Sequence, residues 1–370
     1  MEKDSHLNVE NATPYASRPR SPKLFPPQIG CIGLGNIGFL MTRNLAMNAP
    51  KDDGPLPPIM IWNRTLSKAE KLIQLVGEEK CRIAKDPEQI ARECDIIFVN
   101  LSNDDVVREI YSRLTISLTH DPPVRHKIFV ETSTIYPSLS AELDNMITDF
   151  PNAHLITCPV IGSPLVAEKS QLLLVMSGDY RSKQEVAYWL VPAVGKKVID
   201  LGGDLQKALT FKLLGNSLIL GNLEVLAEAF TFAQKSGIGE DHVESLIKEY
   251  FPAPSIVNYA KKMMGDHFDG SQGFSIDGGI KDATHIRRLT AKHNSPMPAI
   301  DVAHQNLLTA RAHFARKKQE GQANWETLDW SGIIAGTRVS AGLFPFDQRK
   351  VCLPAFWIPL NALTGFSIGL

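Results

Sequence analysis

The sequence predicts an α/β protein in two parts, a doubly wound parallel sheet followed by an all-α domain that is entered through one long helix. Three observations carry that expectation. From residue 29 short apolar runs alternate with longer amphipathic stretches. The runs lack in/out alternation, as strands covered on both faces do. After residue 202 the β-like runs stop and helical patterning takes over. Strands alternating with helices imply parallel crossovers, which wind helices onto both faces of one sheet.

Taken in order, residues 1–27 are rich in Ser, Pro, Asn and charge (SRPRSPKLFPP) and predict a mobile arm, because they cannot bury enough surface to offset ordering. GCIGL opens the sheet, followed by IMIW (59–62), DIIFVNL (95–101), KIFVETS (127–133) and HLITCPV (154–160). LLLVMSGD (172–179) and KKVIDLG (196–202) extend it. Residues 67–76 read as one of the intervening helices, and APKDDGPLPP (49–58) as a loop before the second strand. The first domain is thus expected over 28–202. Residues 204–236, dominated by Leu, Ala, Phe and Glu and closed by Gly237, predict the long helix, and helical patterns continue through 315. This gives an all-α domain over 203–342 and a tail over 343–370. Within the tail, 351–370 carries no charge and is long enough to cross a bilayer. Pro354, Pro359, Asn361, Thr364, Ser367 and two glycines suit a spanning helix poorly, so a packed or flexible tail is expected, not a membrane anchor.

Composition narrows the function classes. A chain of 370 residues with 44% apolar side chains can fill two cores. Its 39 Lys and Arg offset 40 Asp and Glu, so no global field gathers nucleic-acid phosphates or anionic lipid. Cys31, Cys81, Cys94, Cys158 and Cys352 show neither CxxC nor zinc spacing, so no disulfide framework and no metal site are expected. The opening residues carry Glu2, Asp4 and Glu10 without an apolar run, unlike a secretory or transit peptide, and a cytoplasmic location follows as the expectation.

Gly33, Leu34, Gly35, Asn36, Ile37 and Gly38 spell GLGNIG, directly after the strand QIGCI and directly before the helix-like FLMTRNLAM. In this context the first glycine makes the turn, the second admits a pyrophosphate to the backbone and the third lets helix pack on strand. A Rossmann dinucleotide-binding domain is therefore expected, against the alternative of a merely structural glycine turn. The second strand ends in Asn63, Arg64 and Thr65, with no carboxylate to accept ribose hydroxyls. Arg64 can cover the adenine and pair with a 2′-phosphate while Asn63 and Thr65 donate hydrogen bonds, which favours NADP over NAD. The alternative is that Arg64 is a solvated loop residue.

In the long helix Lys212 and Asn216 stand four apart, on one face and one turn from each other. Their surroundings are mostly apolar (LTFKLLGNSLILGN), and burial lowers a lysine's pKa toward the range where it trades protons. Such a lysine can take or return a carbinol proton while hydride moves, with the amide holding the reacting oxygen. By itself the spacing also fits a solvated helix face.

Five blocks occur in order: GLGNIGFLMTRNL; VETSTIYP (130–137); CPVIGSP (158–164); GDLQKALTFKLLGN (203–216); and FSIDGGIKDA (274–283). In these blocks, over about residues 29–340, the chain resembles the β-hydroxyacid dehydrogenases, the 3-hydroxyisobutyrate dehydrogenase family related to 6-phosphogluconate dehydrogenase. The resemblance implies Ser133 as a substrate contact, and Gly162 and Ser163 as loop residues presenting N–H groups to a carboxylate. It further implies Lys212 as the catalytic lysine, Asn216 as its companion amide, Lys281 near the cofactor and Asp282 as an orienting partner. The match departs at Ile161, where the family has serine, and at Gln206, Ala208 and Gly215, which replace two glycines and an asparagine. Ile161 removes a donor and adds bulk, which weakens recognition of a small polar hydroxyacid.

The sequence thus points to an NADP-dependent interconversion of a β-hydroxyacid and its semialdehyde or keto form. Two alternatives stay open: a reductase of imines or bulkier carbonyls on the same fold, and a non-catalytic NADP-binding regulator. The apolar face of the long helix exceeds what one small helical domain hides, so a homodimer is expected.

Overall fold

The computed structural model describes residues 26–50, 56–271 and 273–346. The expected N-terminal arm up to residue 25 and the expected tail from 347 onward lie outside the described residues, as do 51–55 of the loop before the second strand.

The first domain runs β1 (Ile29–Ile32), α1 (Asn36–Asn48), β2 (Ile59–Trp62), α2 (Leu66–Val76), β3 (Cys81–Ile83), α3 (Pro87–Glu93), β4 (Ile96–Val99), α4 (Asp104–His120), β5 (Lys127–Glu131), α5 (Leu139–Thr148) and β6 (Ala153–Thr157). It continues with β7 (Val160–Ile161), α6 (Pro164–Glu168), β8 (Leu172–Gly178), α7 (Tyr180–Leu190) and β9 (Gly195–Asp200). The sheet order is β3-β2-β1-β4-β5-β6-β8-β7, with β9 beside β8. Strands β1 to β6 pair in parallel. The order reverses between β1 and β4, and that switch point opens a crevice at the strands' carboxyl ends. Sequence alone missed β3, three residues with two of them exposed, too short for an apolar run to announce.

The expected parallel sheet is corrected at its far edge, where β8 pairs antiparallel with both β6 and β7, and β9 pairs parallel with β8. HLITCPV forms two short strands about Cys158 and Pro159, yet both halves pair antiparallel with the same edge of β8 in one register, Ile156↔Gly178 and Thr157↔Ser177 followed by Val160↔Leu174 and Ile161↔Leu173, and the Val175 N–H donates to the Pro159 carbonyl between them. Strand β9 takes the other edge of β8. The run along β8 carries Ile161, Gly162 and Ser163 toward the helical domain.

The second domain contains α8 (Leu205–Ser236), α9 (Glu240–Tyr250), α10 (Pro254–Met264), α11 (Ile276–Lys292), α12 (Pro298–Gln319), a 3-10 turn at Trp330–Ile333, and α13 (Ile334–Ser340). Helix α8 matches its sequence signals at both ends. The Asp204 carboxylate accepts the Gln206 N–H, and Gly237 takes the left-handed conformation (φ 74°) that lets the chain turn away. By length and composition α8 could cross a membrane, yet half of its most apolar stretch is buried inside this fold. Leu213, Leu220, Leu223, Ala227 and Phe230 of this helix form the centre of the helical domain's core. Phe346, past the boundary expected at 342, is buried and meets Phe268 in a tilted pair with ring centroids 6.1 Å apart.

Candidate functional site

The glycine loop shows why each glycine is required. Gly33 has φ +97°, and a Cβ there would stand 2.1 Å from the Asn100 carbonyl oxygen of the next strand's loop. A Cβ on Gly38 would stand 2.2 Å from the Gly33 oxygen. Gly35 differs: its φ is −71° and nothing lies within 4 Å of its would-be Cβ, so open space faces its backbone. Gly35 is also the N-cap of α1, which has no side-chain cap and no acid in its first turn. Uncapped N–H groups with open space before them fit a pyrophosphate. Leu34 is buried and Ile37 packs on the core, so these two serve the loop through their backbone.

Asn63 has a different task from the one expected. Its Oδ1 accepts the Leu34 N–H at 2.9 Å and its Nδ2 donates to the Thr65 carbonyl at 2.9 Å. It therefore braces the glycine loop against the end of β2, and Arg64 and Thr65 beside it are exposed. Asn36, exposed at the start of α1, reaches the helical domain: its Nδ2 donates to the Ser271 and Gly273 carbonyls at 3.2 and 3.3 Å.

At the seam of the two domains the structure assembles Lys212, Asn216, Lys281 and Asp282. The Asn216 Nδ2 donates to Asp282 Oδ2 at 2.6 Å, across 66 residues of chain. Asp282 Oδ1 lies 3.1 Å from Lys281 Nζ, and that ammonium also donates to the Thr134 carbonyl. The VETST segment thus meets α11 beside the pair on α8. Lys212 keeps part of its surface open. Among the described residues no hydrogen bond or ion pair engages its ammonium. Burial pulls its pKa down to about 8; the Asp282 charge opposes that fall and the Lys281 charge adds to it.

Ser133 is placed otherwise than expected. It is 2% exposed, its hydroxyl accepts the Leu101 N–H at 2.8 Å, and its own N–H donates to Glu131 Oε1 at 2.6 Å. Packing at the ends of β4 and β5 occupies this serine, so it is not a cleft-facing group in this structure. Glu131 below it is fully buried, and burial raises its carboxyl to about 7 against the opposing hydrogen bonds from Ser133. Gly162 and Ser163 are exposed in the loop before α6. Gly162 has φ +152° and no room for a Cβ, which would meet Leu172 at 2.6 Å.

Sequence reading missed the groups that join these segments. Asn44 Nδ2 donates to the Ala167 carbonyl at 2.6 Å and Arg43 donates to the Glu168 carbonyl at 2.9 Å, tying α1 to α6 and its loop. His285 Nε2 lies 3.1 Å from Asp104 Oδ1, bridging α11 to the N-terminus of α4. Burial alone would raise the Asp104 pKa, but the hydrogen bond and charge of His285, with the Tyr136 N–H, hold it below the usual carboxylate value. Arg288 stacks over the Tyr136 ring at 3.8 Å beside this bridge. Polar residues on amphipathic helices carry no sequence mark that separates them from solvated faces. Among the described residues no cluster of three His, Cys, Asp or Glu is placed to hold a metal ion.

Comparison with known proteins agrees with this layout. Residues 28–203 match the NAD-binding domain of 6-phosphogluconate dehydrogenase, and residues 207–324 match the NAD-binding domain of NADP-dependent 3-hydroxyisobutyrate dehydrogenase. An NADH-dependent oxidoreductase of Aspergillus ustus is 28% identical over 84% of this chain and 99% of its own length. Glyoxylate/succinic semialdehyde reductase 1 of Arabidopsis thaliana is 26% identical over 85% of this chain and 99% of its own. A Mycobacterium tuberculosis 3-hydroxyisobutyrate dehydrogenase, solved with L-serine, shares the fold with a TM-score of 0.65 at 21% identity, over 84% of this chain and 99% of that one. The two family matches divide the chain where the fold does, at the start of α8, and with the glycine loop and the Lys212 helix on either side of that division the chain belongs to the β-hydroxyacid dehydrogenase family, the 3-hydroxyisobutyrate and 6-phosphogluconate dehydrogenase-like NAD(P)-dependent oxidoreductases.

Proposed function

We propose that this enzyme interconverts a β-hydroxyacid and its semialdehyde or keto form by NADP-dependent hydride transfer, with Lys212 as general acid and base. The observation that carries the reading is Lys212: partly open at the domain seam, lowered to about 8 by burial, and one helical turn from an amide that Asp282 holds in place. When bound, the nicotinamide accepts or supplies the hydride. In oxidation the neutral Nζ takes the hydroxyl proton as the carbinol hydrogen leaves with its electron pair; in reduction the ammonium returns that proton to the carbonyl oxygen. One N–H of Asn216 is spent on Asp282, and its second serves the reacting oxygen.

Replacing Lys212 by alanine tests the reading. Turnover should fall by about a hundredfold or more while NADPH still binds, as followed by its fluorescence. Turnover within a few-fold of the unaltered enzyme would overturn the assignment. A panel of ketoacids, semialdehydes and imines with NADPH separates the other readings: consumption only with imines favours the imine reductase, and consumption with none favours the regulator.

The NADP preference is supported by exposed Arg64 and Thr65 at the end of β2. A cytosolic location is supported by Cys31, Cys81, Cys94 and Cys158, all buried and free of disulfides. Homodimer formation is supported by Leu214, Leu218, Val225 and Phe232, which are 48%, 62%, 61% and 67% exposed. At 3.6 residues per turn these four fall within about 40° of one another on α8, an apolar stripe that a second copy would cover. Light scattering tests it: Phe232→Glu should reduce a dimeric mass to that of one chain, and a monomeric unaltered protein would refute the pairing.

A further inference from the structure

Three side chains on one face of α11 reach across to the first domain. Lys281, His285 and Arg288 stand at i, i+4 and i+7, within about 60° of one another around the helix axis. The Lys281 ammonium donates to the Thr134 carbonyl, His285 meets Asp104, and the Arg288 guanidinium lies 3.8 Å from the centre of the Tyr136 ring. All three partners belong to the turn after β5 or to the first residue of α4.

Asp104 is the hub of this seam. Its carboxylate, which when ionised can only accept, takes the Tyr136 N–H at 3.2 Å and the His285 Nε2–H at 3.1 Å. His285 is 6% exposed, and among the described residues its Nδ1 is buried without a hydrogen-bond partner. The ring therefore has one polar anchor. Without Asp104 the buried imidazole would keep neither nitrogen paired, a cost that a shift of α11 toward water would relieve. One turn back on the same helix, Asp282 holds the Asn216 amide at 2.6 Å and lies 3.1 Å from Lys281. A helix moves as a rod, so a shift at His285 carries Asp282 with it.

We propose that Asp104 and His285 are positioning residues for hydride transfer: their hydrogen bond pins α11 to the turn after β5 and so keeps Asp282 on Asn216 beside Lys212. Neither residue acts on the reacting atoms itself. The inference rests on the role of Lys212 proposed above and adds the contact between domains that aligns it.

The test measures kcat and KM with NADPH and the ketoacid or semialdehyde of the panel that the unaltered enzyme reduces fastest. His285→Leu should lower kcat roughly 10- to 100-fold while KM and NADPH affinity stay within about threefold, the mark of lost alignment. His285→Gln, whose Nε2–H can still reach Asp104, should restore most of that loss, whereas a site that needed only packing would prefer leucine. Asp104→Ala, at a partly exposed helix start, removes the same bond should His285→Leu not fold, and the two changes combined should cost no more than the larger single loss. Amide hydrogen exchange, read without substrate, should quicken across 281–288 in both variants. Exchange that stays unchanged, or a kcat within about twofold of the unaltered value in both variants while Lys212→Ala still removes turnover, overturns the latch and leaves the chemistry standing. An enzyme inert toward every member of the panel, or one that Lys212→Ala leaves active, overturns the reading on which the latch rests.

Discussion

The side-chain amide of Asn216 donates to Asp282 at 2.6 Å, joining α8 to α11 beneath the partly open Lys212. Asp282 is 1% exposed, and its charge opposes the fall in the Lys212 pKa that burial causes. Asp282→Asn should therefore act in two ways. The lysine pKa should drop below its present value of about 8, moving the pH–rate midpoint to lower pH. Looser placement of Asn216 should also lower kcat by about tenfold or more with a smaller change in KM. An unmoved midpoint would show that the carboxylate has only a packing role.

The pH dependence of the unaltered enzyme has a definite sign. On the proposed role of Lys212, reduction draws on its ammonium form and its rate should fall as pH rises through about 8, whereas oxidation draws on the free amine and should rise through the same value. Stability follows the same titration. The folded pKa is depressed below the ordinary lysine value of 10.5, so the folded chain holds fewer protons than the unfolded one between about 8 and 10.5, and stability rises with pH across that window. Lys212→Met should consequently stabilise the fold most below pH 8, by at most about 3 kcal/mol, and least above 10.5. Thermal melts at both ends of this range check it.

The glycine loop separates folding from binding. Gly33→Ala sets a Cβ 2.1 Å from a backbone oxygen at positive φ and should cost more than about 3 kcal/mol, visible as a large loss of Tm. Gly35→Ala meets nothing within 4 Å, so its Tm should hold while NADPH affinity falls by about tenfold or more, because the methyl group fills the approach to the backbone. A Gly35→Ala protein that binds NADPH normally would place the pyrophosphate elsewhere.

Arg64 is exposed at the end of β2 and free to pair with a 2′-phosphate. Arg64→Ala should weaken NADPH by about 10- to 100-fold, the worth of a charge-assisted contact, and leave NADH nearly unchanged. Equal losses for both cofactors would assign the arginine to the adenine ring instead of the phosphate. Because a relative from Aspergillus ustus is named an NADH-dependent oxidoreductase, both cofactors belong in the measurement.

Part of this constellation was legible in the chain. Lys212 and Asn216 share a helix face by spacing alone, and the loop before α6 stood out through CPVIGSP. Two expectations did not survive the packing. Ser133 sits at a strand end where its hydroxyl is taken by the Leu101 N–H, and Asn63 is taken by Leu34 and Thr65. Thr65 is two residues from Asn63, but Leu101 and Leu34 lie 32 and 29 residues from their partners, too far for sequence spacing to reveal.

The sequence by itself determined the glycine turn at Gly33, the ends of α8 at Asp204 and Gly237, and nearly every strand of the parallel sheet. These depend on local demands, a positive φ, a side-chain cap or a run of apolar residues, that a few neighbouring residues satisfy. Only the tertiary structure decided that β8 runs antiparallel beside β6 and β7, that Ile161 covers Gly215, and that Asp282 meets Asn216. Those meetings join segments tens of residues apart, and their distances are set by how whole helices and strands pack, a property that no local stretch of chain encodes.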